Sequence, residues 1–153
     1  MARMSARDDL LKPSLRDEGG EFRQIHSSST LFACAFFGGP FAVIAMSACN
    51  SVLLRRKVDA IPLSAAFILS VALCVVLYGP GVFGLQTPDR GETWAFMRVF
   101  GVVLFGAFWW LHRRYYRGLK VSSIPPPSGI LPGITFIVLG IALQVALANW
   151  FGP

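Results

Sequence analysis

A long apolar stretch without a formal charge runs from Leu31 to Leu54. It holds about 24 residues, more than the roughly 20 that an α-helix needs to cross a bilayer. A basic triplet follows at once, Arg55-Arg56-Lys57, as is typical of the cytoplasmic end of a membrane helix. The stretch therefore predicts a transmembrane helix whose basic end stays in the cytoplasm.

Three more apolar stretches follow, and charged or Pro/Gly-rich segments separate them. The pattern predicts an all-α polytopic membrane protein with four transmembrane helices in two hairpins. We expect the spans near residues 30–54, 62–78, 94–112 and 130–150. Of the 153 residues, 14% are charged, where about 25% is usual in soluble domains. We therefore expect one transmembrane domain, residues 30–153, after a polar tail of residues 1–29.

Basic residues gather at the ends of the apolar stretches rather than along one helical face. Basic residues at the ends of spans are typical of membrane proteins, which accounts for the net charge of +6. No basic face of the kind that binds nucleic acid is present, so we expect no nucleic-acid partner. Those beside the 1–2 and 3–4 connections are predicted to contact lipid headgroups or a partner: Arg55, Arg56, Lys57, Arg113, Arg114 and Arg117. Counting them predicts that these connections are cytoplasmic and that both termini are periplasmic.

Small residues recur at helical spacing along the first span. Such residues let helix backbones approach closely in lipid. The predicted helix-packing residues are Gly38, Gly39, Pro40, Ala42 and Ala45. Pro40 also predicts a kink, because proline lacks a backbone N–H. A gating hinge at Gly39-Pro40 is the alternative interpretation.

Three polar side chains fall within the predicted spans: Asn50, Arg98 and Gln144. Asn50 is expected to hydrogen-bond to a second helix or to headgroups, and Gln144 to a neighbouring helix. Arg98 lies one turn from Trp94, so we expect it to extend towards the membrane surface. A substrate contact at Gln144 and a functional site at Arg98 are the alternatives.

Catalytic chemistry is not expected. All eight acidic residues lie outside the predicted spans, so a proton-coupled path through them is disfavoured. Asp59 is expected to cap the second span. The only histidines lie apart, His26 in the tail and His112 at the opposite end of a span, and Ser64 and Ser70 have no evident partner. We therefore predict no enzyme, no metal site and no cofactor.

The first span and its flanks resemble a group of uncharacterised small bacterial inner-membrane proteins. The shared elements are Gln24-Ile25, the run Phe37-Gly38-Gly39-Pro40-Phe41-Ala42, and Asn50 followed by Arg55. Ser51 stands where an aromatic residue usually follows the asparagine. The resemblance implies a four-span protein of the bacterial inner membrane and carries no activity.

A non-enzymatic interaction role fits these features best. We expect an accessory or interaction subunit that binds another membrane component, with lipids and a membrane-protein partner or a second copy as contacts. A small transporter or oligomeric pore is one alternative. A membrane immunity protein against a secreted toxin is another.

Overall fold

Four long helices make up most of the described part of the chain. The computed structural model describes residues 26–79, 89–122 and 129–151, so most of the predicted tail lies outside the described residues. The helices are α1 (Ser28–Leu53), α2 (Ala60–Tyr78), α3 (Arg90–Ser122) and α4 (Ile130–Phe151), with a 3₁₀ turn at Lys57–Asp59 before α2. Each helix is long and apolar enough to cross a membrane, which confirms the predicted all-α membrane fold.

Helix α1 begins at a cap that its sequence predicts. The Ser27 hydroxyl accepts a hydrogen bond from the backbone N–H of Thr30 at 3.2 Å. This bond satisfies one of the N–H groups that a helix start leaves without an intrahelical partner. At the other end, Arg55 adopts a left-handed conformation (φ 52°) and turns the chain towards the 3₁₀ turn.

The helical path of α1 is broken at Gly39. This residue has φ 70° and ψ −161°, and Pro40 follows it. The kink predicted at Pro40 is present, and it reverses the direction of the chain. The backbone N–H of His26 donates to Asn50 Oδ1 at 3.0 Å. A straight helix would hold two residues 24 positions apart at a distance of about 36 Å.

Helix α1 is therefore a helical hairpin, with a first arm over residues 28–38 and a second arm over residues 40–53. At 1.5 Å per residue the arms are roughly 17 and 21 Å long. Neither arm reaches across a hydrocarbon core of about 30 Å. Although α1 has the length and composition of a span, both its ends lie at one end of the molecule. We call this the basic end, since Arg55, Arg56 and Lys57 follow the second arm there.

The hairpin forms the centre of the bundle. In its most apolar window α1 is 67% buried, against 17–22% for the other three helices. Helices α3 and α4 each pack chiefly on α1 and have few direct contacts with each other. The other helices pack around α1 and present large apolar side chains on their outer faces, as a bilayer requires, and the first arm of α1 also exposes Phe32, Phe36 and Phe37.

The hairpin tip fits between two glycines of its neighbours. A Cβ on Gly101 of α3 would lie 2.8 Å from the Ala35 carbonyl oxygen. One on Gly140 of α4 would lie 2.7 Å from the Gly38 carbonyl oxygen. Larger residues at either position would force the helices apart, so the two glycines allow the backbones of α3 and α4 to approach the tip.

The described chain begins and ends at opposite ends of the bundle. His26 lies beside Asn50 at the basic end. Phe151 packs near Phe41 and Met97, at the end where the hairpin tip lies, which we call the tip end. The expectation that both termini are periplasmic concerns residues 1 and 153, which lie outside the described residues, whereas His26 and Phe151 lie at opposite ends of the bundle. The reason is that α1 returns to its starting side instead of crossing.

Candidate functional site

Three buried side chains meet at the basic end, each from a different element. Ser51 comes from the second arm of α1, Asp59 from the 3₁₀ turn and His112 from α3. Asp59 Oδ2 accepts from Ser51 Oγ at 3.0 Å and lies 3.1 Å from His112 Nε2. His112 and Asp59 are 0% and 1% exposed. We call these residues the buried triplet.

The second ring nitrogen of His112 points away from the other two members. Its Nδ1 lies 3.0 Å from the backbone carbonyl oxygen of Phe108, which only accepts. Nε2 faces both Asp59 and Ser51, the latter at 3.4 Å. Both ring nitrogens therefore have polar neighbours within the protein. The triplet thus ties the end of α1, the start of α2 and the last part of α3 together.

The triplet corrects one expectation from the sequence and adds a contact that the sequence did not predict. Asp59 does occupy the N-cap position of α2, but its side chain makes no capping hydrogen bond. His112, expected at the end of the third span, is fully buried against Asp59. The sequence held one signal for the contact between Asp59 and His112. The predicted topology already put the 1–2 connection and the end of α3 on the same side of the membrane.

Arg56 connects the buried triplet to the protein surface. Its guanidinium lies 3.4 Å from Asp59 Oδ1 and 5.5 Å from the centre of the Tyr115 ring. On its outer side Arg56 lines an open groove of about 520 Å³, which we call the arginine groove. The other lining residues are Trp110, Leu111, Arg113, Arg114 and Tyr115. The Arg113 guanidinium carbon lies 4.9 Å from the centre of the Trp110 ring, so two of the three guanidiniums lie over aromatic rings at cation–π distance.

A second polar network closes the base of the hairpin. Besides accepting from His26, Asn50 donates to the Tyr116 hydroxyl at 3.5 Å, which agrees with the expected bond to a second helix. The Cys49 sulfur lies 3.8 Å from His26 Nε2. Burial lowers the pKa of His26. Neutral His26 therefore fits this position better than charged His26.

The polar residues predicted within the spans do not form one site. Gln144 is buried near the hairpin tip, where it donates to the Tyr78 hydroxyl at 3.4 Å. Arg98 is exposed near the start of α3, with its guanidinium 5.9 Å from the Trp94 ring centre. Asn50 lies at the basic end instead. The expected hydrogen bond from Gln144 to a neighbouring helix is present.

The remaining predicted residues divide between the tip and the basic surface. Gly38, Gly39, Pro40 and Ala42 are buried at the tip, while Ala45 is half-buried. Gly38 and Ala42 face each other across the turn so closely that no side chain fits on Gly38. Three basic residues line the arginine groove, and three are exposed outside its lining: Arg55, Lys57 and Arg117.

Comparison with known proteins adds no relative. No protein-family model matches the chain, and neither a curated protein nor a solved structure is similar to it.

Proposed function

We propose that this chain is a non-enzymatic integral membrane protein that binds another membrane component at its basic end, as an accessory or interaction subunit. The observation that carries the proposal is the arginine groove. It joins three guanidiniums and two aromatic rings on the surface of an otherwise apolar bundle. Aromatic and arginine side chains are also the residue types that contribute most to binding interfaces.

The small residues of α1 are not the binding surface in this proposal. Gly38 and Ala42 pack closely against each other at the hairpin tip. Asn50 and Gln144 already have hydrogen-bond partners within the chain. Their burial within the chain assigns these residues to folding. A partner therefore meets the basic end or the outer faces of α2, α3 and α4.

The geometry of the buried triplet supports a structural role for Ser51, Asp59 and His112. In a hydrolytic triad the serine and the carboxylate lie on different nitrogens of the histidine. Here both lie on Nε2, and a backbone carbonyl occupies Nδ1. Asp59 therefore does not orient His112 towards Ser51 as a base. The triplet suits holding Arg56 at the edge of the groove.

For localisation, we propose the bacterial inner membrane with the basic end in the cytoplasm. The basic residues at that end support this orientation by the positive-inside rule. With α1 folded back, residue 26 is then cytoplasmic and Phe151 periplasmic.

One observation favours a small transporter as a second candidate. A broken helix that re-enters from one side, with a buried amide beside the break, is typical of transporter binding sites. Gln144 Oε1 lies close to Gly39 in this way, 3.2 Å from where a side chain on Gly39 would begin. Transport by proteoliposomes that contain this protein alone, lost in Gln144→Leu, would favour this candidate.

The test of the binding proposal compares what co-purifies with the protein from native membranes in mild detergent. We expect the Arg113→Gln/Arg114→Gln variant to lose a lipid or protein component that the wild-type chain retains. Arg117→Gln is the matched control, because Arg117 is exposed on the same helix outside the groove lining. Identical components in all three preparations would contradict the proposal.

A further inference from the structure

We propose that the arginine groove binds the phosphate of an anionic phospholipid, with the lipid's apolar part against Trp110 and Leu111. This inference rests on the proposed binding function and names its ligand. It follows from the charge of the groove, the contacts that hold two of its guanidiniums and its position along α3.

Among the described residues, the positive charge of the groove is only partly neutralised. Asp59 pairs with Arg56, but the same carboxylate also accepts from Ser51 and contacts His112. Within the described part of the chain, no carboxylate pairs with Arg113 or Arg114. The other described acids, Asp89 and Glu92, lie at the start of α3 and so at the tip end. This charge favours an anion as the ligand of the groove.

Two of the three guanidiniums have contacts that hold them before a ligand arrives. Arg56 lies over the Tyr115 ring and is paired with Asp59, and Arg113 lies over the Trp110 ring. Two parallel N–H bonds from one arginine match two oxygens of a phosphate. Less side-chain freedom is then lost when a phosphate binds.

The groove lies where lipid headgroups lie. Trp110 and Tyr115 are 61% and 41% exposed on α3, just before and among the arginines. Aromatic residues of this kind mark the interface between hydrocarbon and headgroups. Basic grooves at that depth bind anionic headgroups, and each arginine near the surface contributes about 1 kcal/mol. Trp110 and Leu111 supply an apolar wall, which a soluble phosphate would not use.

The experiment measures the thermal stability of the purified full-length chain in detergent while one ligand is added. The probes are short-chain phosphatidylglycerol, short-chain phosphatidylcholine and inorganic phosphate. We expect phosphatidylglycerol to raise the melting temperature of wild type, Arg117→Gln and Arg98→Gln, and the other two probes to have little effect. In Arg113→Gln/Arg114→Gln the apparent affinity for phosphatidylglycerol should fall roughly thirtyfold, as two contributions of about 1 kcal/mol imply.

Each other outcome decides against the inference. An equal shift in the groove variant places the lipid elsewhere, and an equal effect of inorganic phosphate makes the ligand a soluble anion. If the groove variant does not fold, Arg113→Lys/Arg114→Lys takes its place. That variant keeps the charge but loses the paired N–H geometry, so unchanged affinity would overturn the proposed phosphate contact. Loss of a co-purifying protein without any effect on lipid binding would refute this inference and leave the binding function standing.

Discussion

Gly39 is the residue on which the fold of α1 depends. Its φ of 70° lies in a region that side chains with a Cβ rarely adopt, and its neighbours leave little space. Pro40 directly after it lacks a backbone N–H, so one hydrogen bond of the helical ladder is missing there. Together the two residues mark the point at which the chain reverses.

We predict that Gly39→Ala destabilises the protein by about 1–3 kcal/mol, the usual cost of a strained backbone conformation. Gly106→Ala is the control, since Gly106 lies inside α3 with open space where a Cβ would be. That change should be neutral or stabilise by up to about 1 kcal/mol, because alanine favours a helix over glycine. Thermal unfolding in detergent measures both, and equal melting temperatures would argue against the strained turn.

His26 makes stability depend on pH. Since burial lowers the pKa of His26, the unfolded chain binds a proton more readily than the folded chain does. The contribution of neutral His26 is complete above the usual value of 6.5 and is lost as pH falls below it, towards the lower folded pKa. His26→Gln should therefore flatten the fall in melting temperature between about pH 7.5 and 5. His112 remains in both proteins, so a difference between them belongs to His26. The same slope in both would contradict this account.

At the scale of elements, the buried triplet joins three parts of the chain that only the fold brings together. Removing one partner of a buried pair leaves the other without compensation, at a cost of about 3–5 kcal/mol. We expect Asp59→Ala and His112→Phe each to destabilise the protein by an amount in that range.

The double variant Asp59→Ala/His112→Phe should lose less stability than the two single changes added together, which shows that the two residues interact. Asp89→Ala is the control, because Asp89 is exposed and lies outside the triplet. Unfolding free energies of the four proteins give the coupling. Additive losses would mean that Asp59 and His112 act independently.

The elements themselves were predictable from the sequence, whereas the path of α1 was not. Hydropathy locates all four helices, and Ser27 marks the start of α1. Hydropathy does not show whether the chain reverses direction, however. A stretch of 26 largely apolar residues can form either one span or two short arms. Gly38-Gly39-Pro40 was a visible signal for a break. The angle of that break depends on Gly101 and Gly140, which lie far away in the sequence.

The candidate site was likewise predictable only in part. Basic residues at span ends identify a charged surface, so the groove arginines were named in advance. That Arg56, Arg113 and Arg114 share a groove while Arg55, Lys57 and Arg117 do not depends on how α3 packs beside the 3₁₀ turn. The pairing of Asp59 with His112 likewise spans 53 residues and has no local pattern.

At the scale of the whole molecule, a buried hairpin is surrounded by three helices that run from one end to the other. This arrangement makes the two ends different. The basic end holds both ends of α1, the buried triplet and the arginine groove, while the tip end holds the C-terminal part of α4. Binding at one membrane surface is the function that such an arrangement supports.

Labelling with a membrane-impermeant thiol reagent tests the folded-back α1 most directly. Single cysteines replace three exposed residues, Ser29, Lys57 or Asn149, in a chain whose Cys34, Cys49 and Cys74 are changed to alanine. Labelling is compared between right-side-out and inside-out vesicles. The hairpin predicts that positions 29 and 57 react from the same side and position 149 from the other. Reaction of positions 29 and 149 from one side, with position 57 opposite, would show that α1 crosses the membrane and would contradict this account.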